Sequence, residues 1–162
     1  MTITTGDRLP EATFLEKGPD GIAPVPGKAL FAGRKVALFG LPGAFTGTCS
    51  TQHLPSFIRV ADNLRAKGVD DIVCVAVNDP HVMLAWGEGA GATAAGIRML
   101  SDAASEFTTA LGLAYDNPAA GMFHRSRRYA LLAEDGVVKV LNVEENNGQC
   151  SVSAGETLLA EI

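Results

Sequence analysis

Lys35-Val36-Ala37-Leu38-Phe39-Gly40, running into Leu41-Pro42-Gly43-Ala44-Phe45-Thr46-Gly47-Thr48-Cys49, is the stretch whose reading decides the fold. The first six residues form a short apolar run closed by glycine, the pattern of a strand buried on both faces. Proline, glycine and threonine then break the run. From Leu54 the apolar positions Phe57, Ile58, Ala61 and Leu64 recur at helical spacing. A helix is expected from about Thr48 to Lys67, stopped by Gly68, with a kink at Pro55, which lies past the first turn. Cys49 then sits at a strand's C-terminal end and in a helix's first turn. Unpaired N–H groups and the positive end of the helix dipole at that position attract an anionic sulfur.

Working outward, Ile72 to Val77 is a second buried strand rich in β-branched residues, closed by Asn78-Asp79-Pro80. Asp79 as N-cap and Pro80 at the first helical position open a short helix through Trp86. A Gly/Ala loop (Gly87 to Gly96), a strand from Ile97 to Leu100, and a helix after Ser101 and Asp102 follow, the last ending at Leu111 with Gly112 as its stop. Tyr129 to Ala133 and Val137 to Val143 flank Glu134-Asp135-Gly136, a hairpin signal. Ser153-x-x-Glu156 reads as a capping box for a final helix, Ala154 to Ile162. The helical crossover between the first two strands requires them to be parallel, while the hairpin supplies antiparallel partners. This order is that of an α/β thioredoxin-like fold, a central mixed β-sheet flanked by helices.

The chain of 162 residues, 47% hydrophobic, is long enough for a single core, so residues 1–162 are expected to form one domain. A mean hydropathy of +0.17 argues against disorder. Net charge is −5 and the pI is near 5.1, which gives no basis for gripping phosphates over an extended surface, so nucleic acid is excluded as a partner. The opening residues Met1 to Asp7 have neither a basic start nor an apolar run, and no stretch nears the ~20 apolar residues of a membrane span. A cytoplasmic protein without membrane contact is expected. Cys49, Cys74 and Cys150 are odd in number and contain no C-x-x-C pair, which suits a reducing compartment and counts against a dithiol reductase or a zinc ribbon. His81 and His124 are isolated, so no metal is expected. Gly87-Glu88-Gly89-Ala90-Gly91-Ala92 satisfies a dinucleotide fingerprint in letters only, because it follows a helix rather than a strand.

The spacing Pro42-x-x-x-Thr46-x-x-Cys49, with Phe39-Gly40-Leu41 before it and His53-Leu54-Pro55 after it, resembles the active-site signature of the peroxiredoxins, and among them the type II subclass. The likeness runs from Gly6-Asp7-Arg8-Leu9-Pro10 through Val77-Asn78-Asp79-Pro80 and Ser126-Arg127-Arg128-Tyr129 to the last helix; Gly47 stands where that family usually has proline. The resemblance implies a thiol peroxidase acting on hydrogen peroxide and alkyl hydroperoxides through a cysteine sulfenic acid, with no cofactor and as a homodimer. It implies glutathione, glutaredoxin or thioredoxin as reductant. It carries the peroxidatic role to Cys49, the active-site arginine to Arg128, which directly precedes the aromatic residue opening its strand, and the shielding proline to Pro42.

Acidity alone does not make a fast thiol. For any cysteine, moving the pKa from ~8.5 to ~6 raises the thiolate fraction at neutral pH about thirtyfold, but cuts nucleophilicity about tenfold. The remaining rate must come from donors at the leaving oxygen, each worth ~3 to 4 kcal/mol. Thr46 by spacing, and Arg128 in the cluster Arg125-Ser126-Arg127-Arg128, are the candidate donors. Thr46 equally suits N-capping the helix. His53 shares a helix face with Cys49 and raises the alternative of a Cys–His hydrolase or transferase, but no residue to orient it is identifiable, so a structural hydrogen bond near the site is the expected role. A non-catalytic thioredoxin-like redox-sensing or chaperone module is the other alternative. For resolving the sulfenic acid, Cys74 lies in an apolar strand and Cys150 in the polar Asn146-Asn147-Gly148-Gln149 loop; Cys150 and an outside thiol both stay open.

Overall fold

The Lys35–Gly40 run is the centre of the sheet in the computed structural model, which describes residues 1–162. In chain order the strands are β1 (Thr13–Gly18), β2 (Gly21–Pro26), β3 (Lys35–Gly40), β4 (Asp71–Ala76), β5 (Ile97–Ser101), β6 (Ala114–Asn117), β7 (Met122–Ser126), β8 (Tyr129–Glu134) and β9 (Val137–Val143). The helices are α1 (Gly27–Phe31), α2 (Leu54–Ala66), α3 (Pro80–Ala90), α4 (Glu106–Ala110) and α5 (Gly155–Ala160). Seven strands form one sheet in the order β2-β1-β5-β4-β3-β8-β9, and β6 and β7 pair as a separate ribbon. β3, β4 and β5 are mutually parallel, while β8 runs antiparallel to β3 and to β9. This is the mixed thioredoxin-like sheet that the chain order predicts.

Alternation along the central strands divides the interior in two. Ala37 and Phe39 of β3, Cys74 of β4, and Ala130 and Leu132 of β8 face one side with Phe57, Ala61 and Leu64 of α2, Met83 and Trp86 of α3, and Leu158 of α5. Val36, Leu38, Val73, Val75, Tyr129 and Leu131 face the other side with Phe14, Leu30, Phe31 and Phe107. Because both faces are covered, the central strands read as continuous apolar runs. The β8–β9 turn places Asp135 and Gly136 at φ 49° and 75°, the two left-handed residues that suit a tight hairpin.

Several details differ from the sequence reading. α3 continues through Gly87 and Gly89 to Ala90, so the first part of the expected loop is helical. Gly87 is small because a Cβ there would meet the Met99 side chain at 2.5 Å. The expected capping box of α5 does not form: Ala154 is the N-cap and has no side-chain bond, the Ser153 hydroxyl goes to Glu144, and Glu156 pairs with Arg59. In place of a simple proline kink, Cys49–His53 form a π-helical turn directly ahead of α2, closed by Leu54 N–H on the Cys49 carbonyl. Pro55 has no N–H to offer and its ring crowds the preceding turn, so the turn widens.

Candidate active site

β3 delivers the chain at Gly40 into a turn held at three points. Arg125 donates from Nη1 to the Pro42 carbonyl at 3.1 Å, Asn78 Oδ1 accepts the Ala44 N–H at 2.9 Å, and the Thr46 hydroxyl donates to the Gly43 carbonyl at 2.7 Å. Ser101 secures Asn78 in turn through its backbone carbonyl. The turn hands Cys49 to the π-helical segment fully buried, in the core cluster that includes Phe39 and Cys74.

Arg128 enters from the start of β8 and is 1% exposed. Its Nη2 donates to Cys49 Sγ at 3.1 Å, its Nη1 bonds His53 Nδ1 at 3.0 Å, and its Nε donates to the Asn147 carbonyl at 3.0 Å. No carboxylate pairs with it, so its positive charge is directed at the sulfur and stabilises negative charge there. A shallow cleft of ≈ 590 Å³ opens over this group, lined among others by Pro42, Thr46, Tyr115, Arg128 and Asn147. Cys49, Arg128, Thr46 and Pro42 are thus brought together. Thr46 differs from its expected part: its one hydroxyl proton is used on Gly43, and it gives α2 no side-chain cap, so it presents lone pairs to the cleft.

His53 is not a base for Cys49. Arginine can only donate and a carbonyl can only accept, so Nδ1 must accept from Arg128 and Nε2 must donate to the Ser153 carbonyl at 3.0 Å. Both ring nitrogens are thereby used, which removes the Cys–His hydrolase geometry. Burial and the Arg128 charge lower the His53 pKa to about 3, against the bond to Ser153, which raises it. This depression has a sign. Between the ordinary value of 6.5 and about 3 the unfolded chain binds the proton and the folded chain does not. The stabilisation is complete above about pH 6.5 and is lost as pH falls toward about 3. We expect His53 to contribute a slope of about 1.4 kcal/mol per pH unit in mid-window. Urea unfolding should then show a steeper acid loss for the wild type than for His53→Asn; equal slopes would contradict this.

The other thiols lie apart from that hydrogen-bond set. Cys74 is fully buried in β4, and burial, then the neighbouring Cys49, push its pKa well up. Cys150 is half-buried in the loop after β9, where the Ser153 hydroxyl lies 3.9 Å from its sulfur and burial raises its pKa. That loop touches the Cys49 turn, since the Thr48 hydroxyl donates to the Gly148 carbonyl at 2.9 Å. No three His, Cys, Asp or Glu side chains group as a metal site, and no helix is long and apolar enough to cross a membrane. Sequence reasoning missed Asn78, Asn147 and Glu144, and it weighed Arg125 only as a lesser candidate for the active-site arginine, not as the brace of the Pro42 turn. Asn78, Arg125 and Asn147 act on residues 19 or more positions away, and Glu144 acts within its own loop, so none carries a sequence motif.

A Redoxin family model matches residues 4–159. The chain is 53% identical to peroxiredoxin-2E-2, chloroplastic, of Oryza sativa subsp. japonica, over 98% of this chain and 72% of that relative. The chain belongs to the peroxiredoxin family. A second relative, peroxiredoxin-2C of the same plant, is 46% identical over 97% of this chain and 96% of its own length. Among solved structures, reduced Prx3 of Vibrio vulnificus in complex with hydrogen peroxide superposes with a TM-score of 0.91, at 48% identity, covering 99% of both chains. This peroxiredoxin is accordingly a thiol-dependent peroxidase, an oxidoreductase of the type II group.

Proposed function

We propose that Cys49 is the peroxidatic nucleophile and that it reduces hydrogen peroxide and alkyl hydroperoxides. The observation that carries this reading is Arg128, whose guanidinium touches Cys49 Sγ at 3.1 Å and which is itself one of the residues lining the cleft, beside Thr46 and Pro42. The thiolate attacks the terminal oxygen of the hydroperoxide, an S–O bond forms, and the O–O bond breaks. The sulfur is oxidised to the sulfenic acid, and the leaving oxygen takes a proton and departs as water or alcohol. Arg128 stabilises the charge that develops on that oxygen. Thr46 serves as acceptor for the peroxide O–H rather than as donor, because its own proton is committed to Gly43. Pro42, buried in the turn, keeps water from the sulfur. The Vibrio structure, a complex with hydrogen peroxide, supports the substrate class.

An outside thiol, from glutathione, glutaredoxin or thioredoxin, reduces the sulfenic acid to a mixed disulfide with loss of water, and a second thiol then frees Cys49. Cys150 is the weaker candidate: its loop is tied to Glu144 and to Thr48, and burial raises its pKa. Cys74 is enclosed in the core. Mass spectrometry after one equivalent of peroxide tests the assignment in the wild type and in Cys150→Ser. The expected product in both is a Cys49 sulfenic acid, trappable by dimedone. A Cys49–Cys150 disulfide would instead make the loop thiol the resolving group.

The same reading has residues 1–162 as one domain acting as a homodimer in the cytoplasm. Phe45, on the Cys49 turn at φ 63°, and Phe123, on β7, are 64% and 55% exposed, and they give a second copy apolar surface to cover.

A further inference from the structure

The hydrogen bonds that end on Cys49 begin well outside the cleft. Glu144, just past β9 and 3% exposed, accepts the Ser153 N–H at 3.0 Å and the Ser153 hydroxyl at 2.9 Å, together with the Ser151 N–H at 2.6 Å. Burial opposes its charge, but these bonds prevail and hold its carboxyl below the ordinary range. Ser153 is thereby fixed, and its carbonyl takes His53 Nε2–H at 3.0 Å. The ring is also held by packing: Phe39 lies 5.1 Å and Phe57 5.8 Å from it, centroid to centroid. Its free lone pair at Nδ1 then receives Arg128 Nη1.

The guanidinium has three anchors, and one of them is the reactant. When Cys49 Sγ bonds to oxygen, Arg128 must keep its direction through the other two, the Asn147 carbonyl at Nε and His53 at Nη1. Two fixed points on a planar group set its rotation. Both anchors are neutral, which matters chemically: a carboxylate at Nη1 would fix the plane equally well but cancel the charge needed by the leaving oxygen. An apolar residue at 53 would leave a buried N–H without an acceptor and free it to turn elsewhere.

We propose that His53 is a positioning residue for the peroxidase reaction, whose neutral, Nε2-protonated ring holds the Arg128 guanidinium in the plane that addresses both the Cys49 sulfur and the incoming hydroperoxide. The proposal rests on the assignment of Cys49 and Arg128 above. Glu144 acts at one remove by fixing the carbonyl that selects the tautomer.

His53→Asn and His53→Gln separate this role from simple packing. The Asn amide oxygen can stand where Nδ1 accepts from Arg128, whereas the Gln amide nitrogen stands where Nε2 donates to Ser153. The expected result is that Gln lowers the rate of Cys49 oxidation by hydrogen peroxide at least about tenfold, and that Asn recovers most of that loss. Alkylation of Cys49 by iodoacetamide, which has no oxyanion to stabilise, should change much less in both. Equal losses in the two variants, or a larger loss in Asn, would overturn the proposal. If neither variant folds, ¹⁵N-histidine NMR of the wild type decides: Nδ1 unprotonated and Nε2 protonated is expected, and the opposite tautomer overturns it. Arg128→Met keeps the two readings apart. Its failure to slow peroxide reduction would remove the underlying assignment, whereas a large loss there with indistinguishable Asn and Gln variants would remove only the role of His53.

Discussion

Arg128→Met is expected to lower the second-order rate constant for Cys49 oxidation by hydrogen peroxide by about two to three orders of magnitude. Methionine keeps much of the arginine stem's volume but removes every N–H and the charge. The loss combines the missing donor at the leaving oxygen with the missing bond to Sγ, and it leaves His53 Nδ1 and the Asn147 carbonyl without their buried partner. The adjacent arginine is the control. Arg127 donates from Nη2 to the Glu144 carbonyl at 3.0 Å and makes no bond to the sulfur. Arg127→Met is therefore expected to cost less than about fivefold through the loop it braces. Peroxide-jump kinetics on both variants check this, and equal losses would contradict the assignment of the guanidinium.

Gly40→Ala should be the most damaging single-carbon change in the sheet, at about 3 kcal/mol or more. Gly40 is paired directly with Tyr129 across β3 and β8, and a Cβ at this position would fall inside the Tyr129 ring, which is fully buried. The ring has nowhere to go. Arg128 immediately precedes Tyr129, so any displacement is passed to the guanidinium, and peroxidase rate should fall together with the urea midpoint. Tyr129→Phe should have the opposite sign. Its hydroxyl is buried without a hydrogen-bond partner, and deleting it is expected to stabilise the fold by about 1 kcal/mol or more. A tolerated Gly40→Ala, or a strongly destabilising Tyr129→Phe, would show that the ring is not packed in this way.

What could be read before the structure was whatever has a local cause. β3 and β8 are apolar runs buried on both faces, β3 ending at Gly40, and Asp135-Gly136 between β8 and β9 marks their hairpin. The β1–β2 hairpin escaped because its burial does not alternate: only Phe14 is fully inside, and β2 carries Pro24 and Pro26, which an edge strand tolerates. The β6–β7 ribbon lies off the main sheet, with no core-facing pattern to announce it. In the site, Cys49 announces itself by its turn and helix start, whereas Arg128 was distinguished from Arg125 and Arg127 only through the family resemblance. Spacing alone suggested that Thr46 donates, and it kept a His53 base only as an alternative to a structural hydrogen bond near the site. The structural bond is what forms, and the donor reading of Thr46 fails, for one reason: a side chain's hydrogen-bonding capacity is spent on partners such as Gly43, Ser153 and Arg128, and the last two lie far from His53 in sequence.

The protein carries its own reporter for the central claim. Trp86 is the single tryptophan, 2% exposed, and its indole N–H donates at 3.1 Å to the hydroxyl of Ser50, the residue after Cys49. Stopped-flow emission of Trp86 on mixing with hydrogen peroxide should show a phase whose rate is linear in peroxide in the wild type and which is absent in Cys49→Ser. Persistence of that phase in Cys49→Ser would contradict the account.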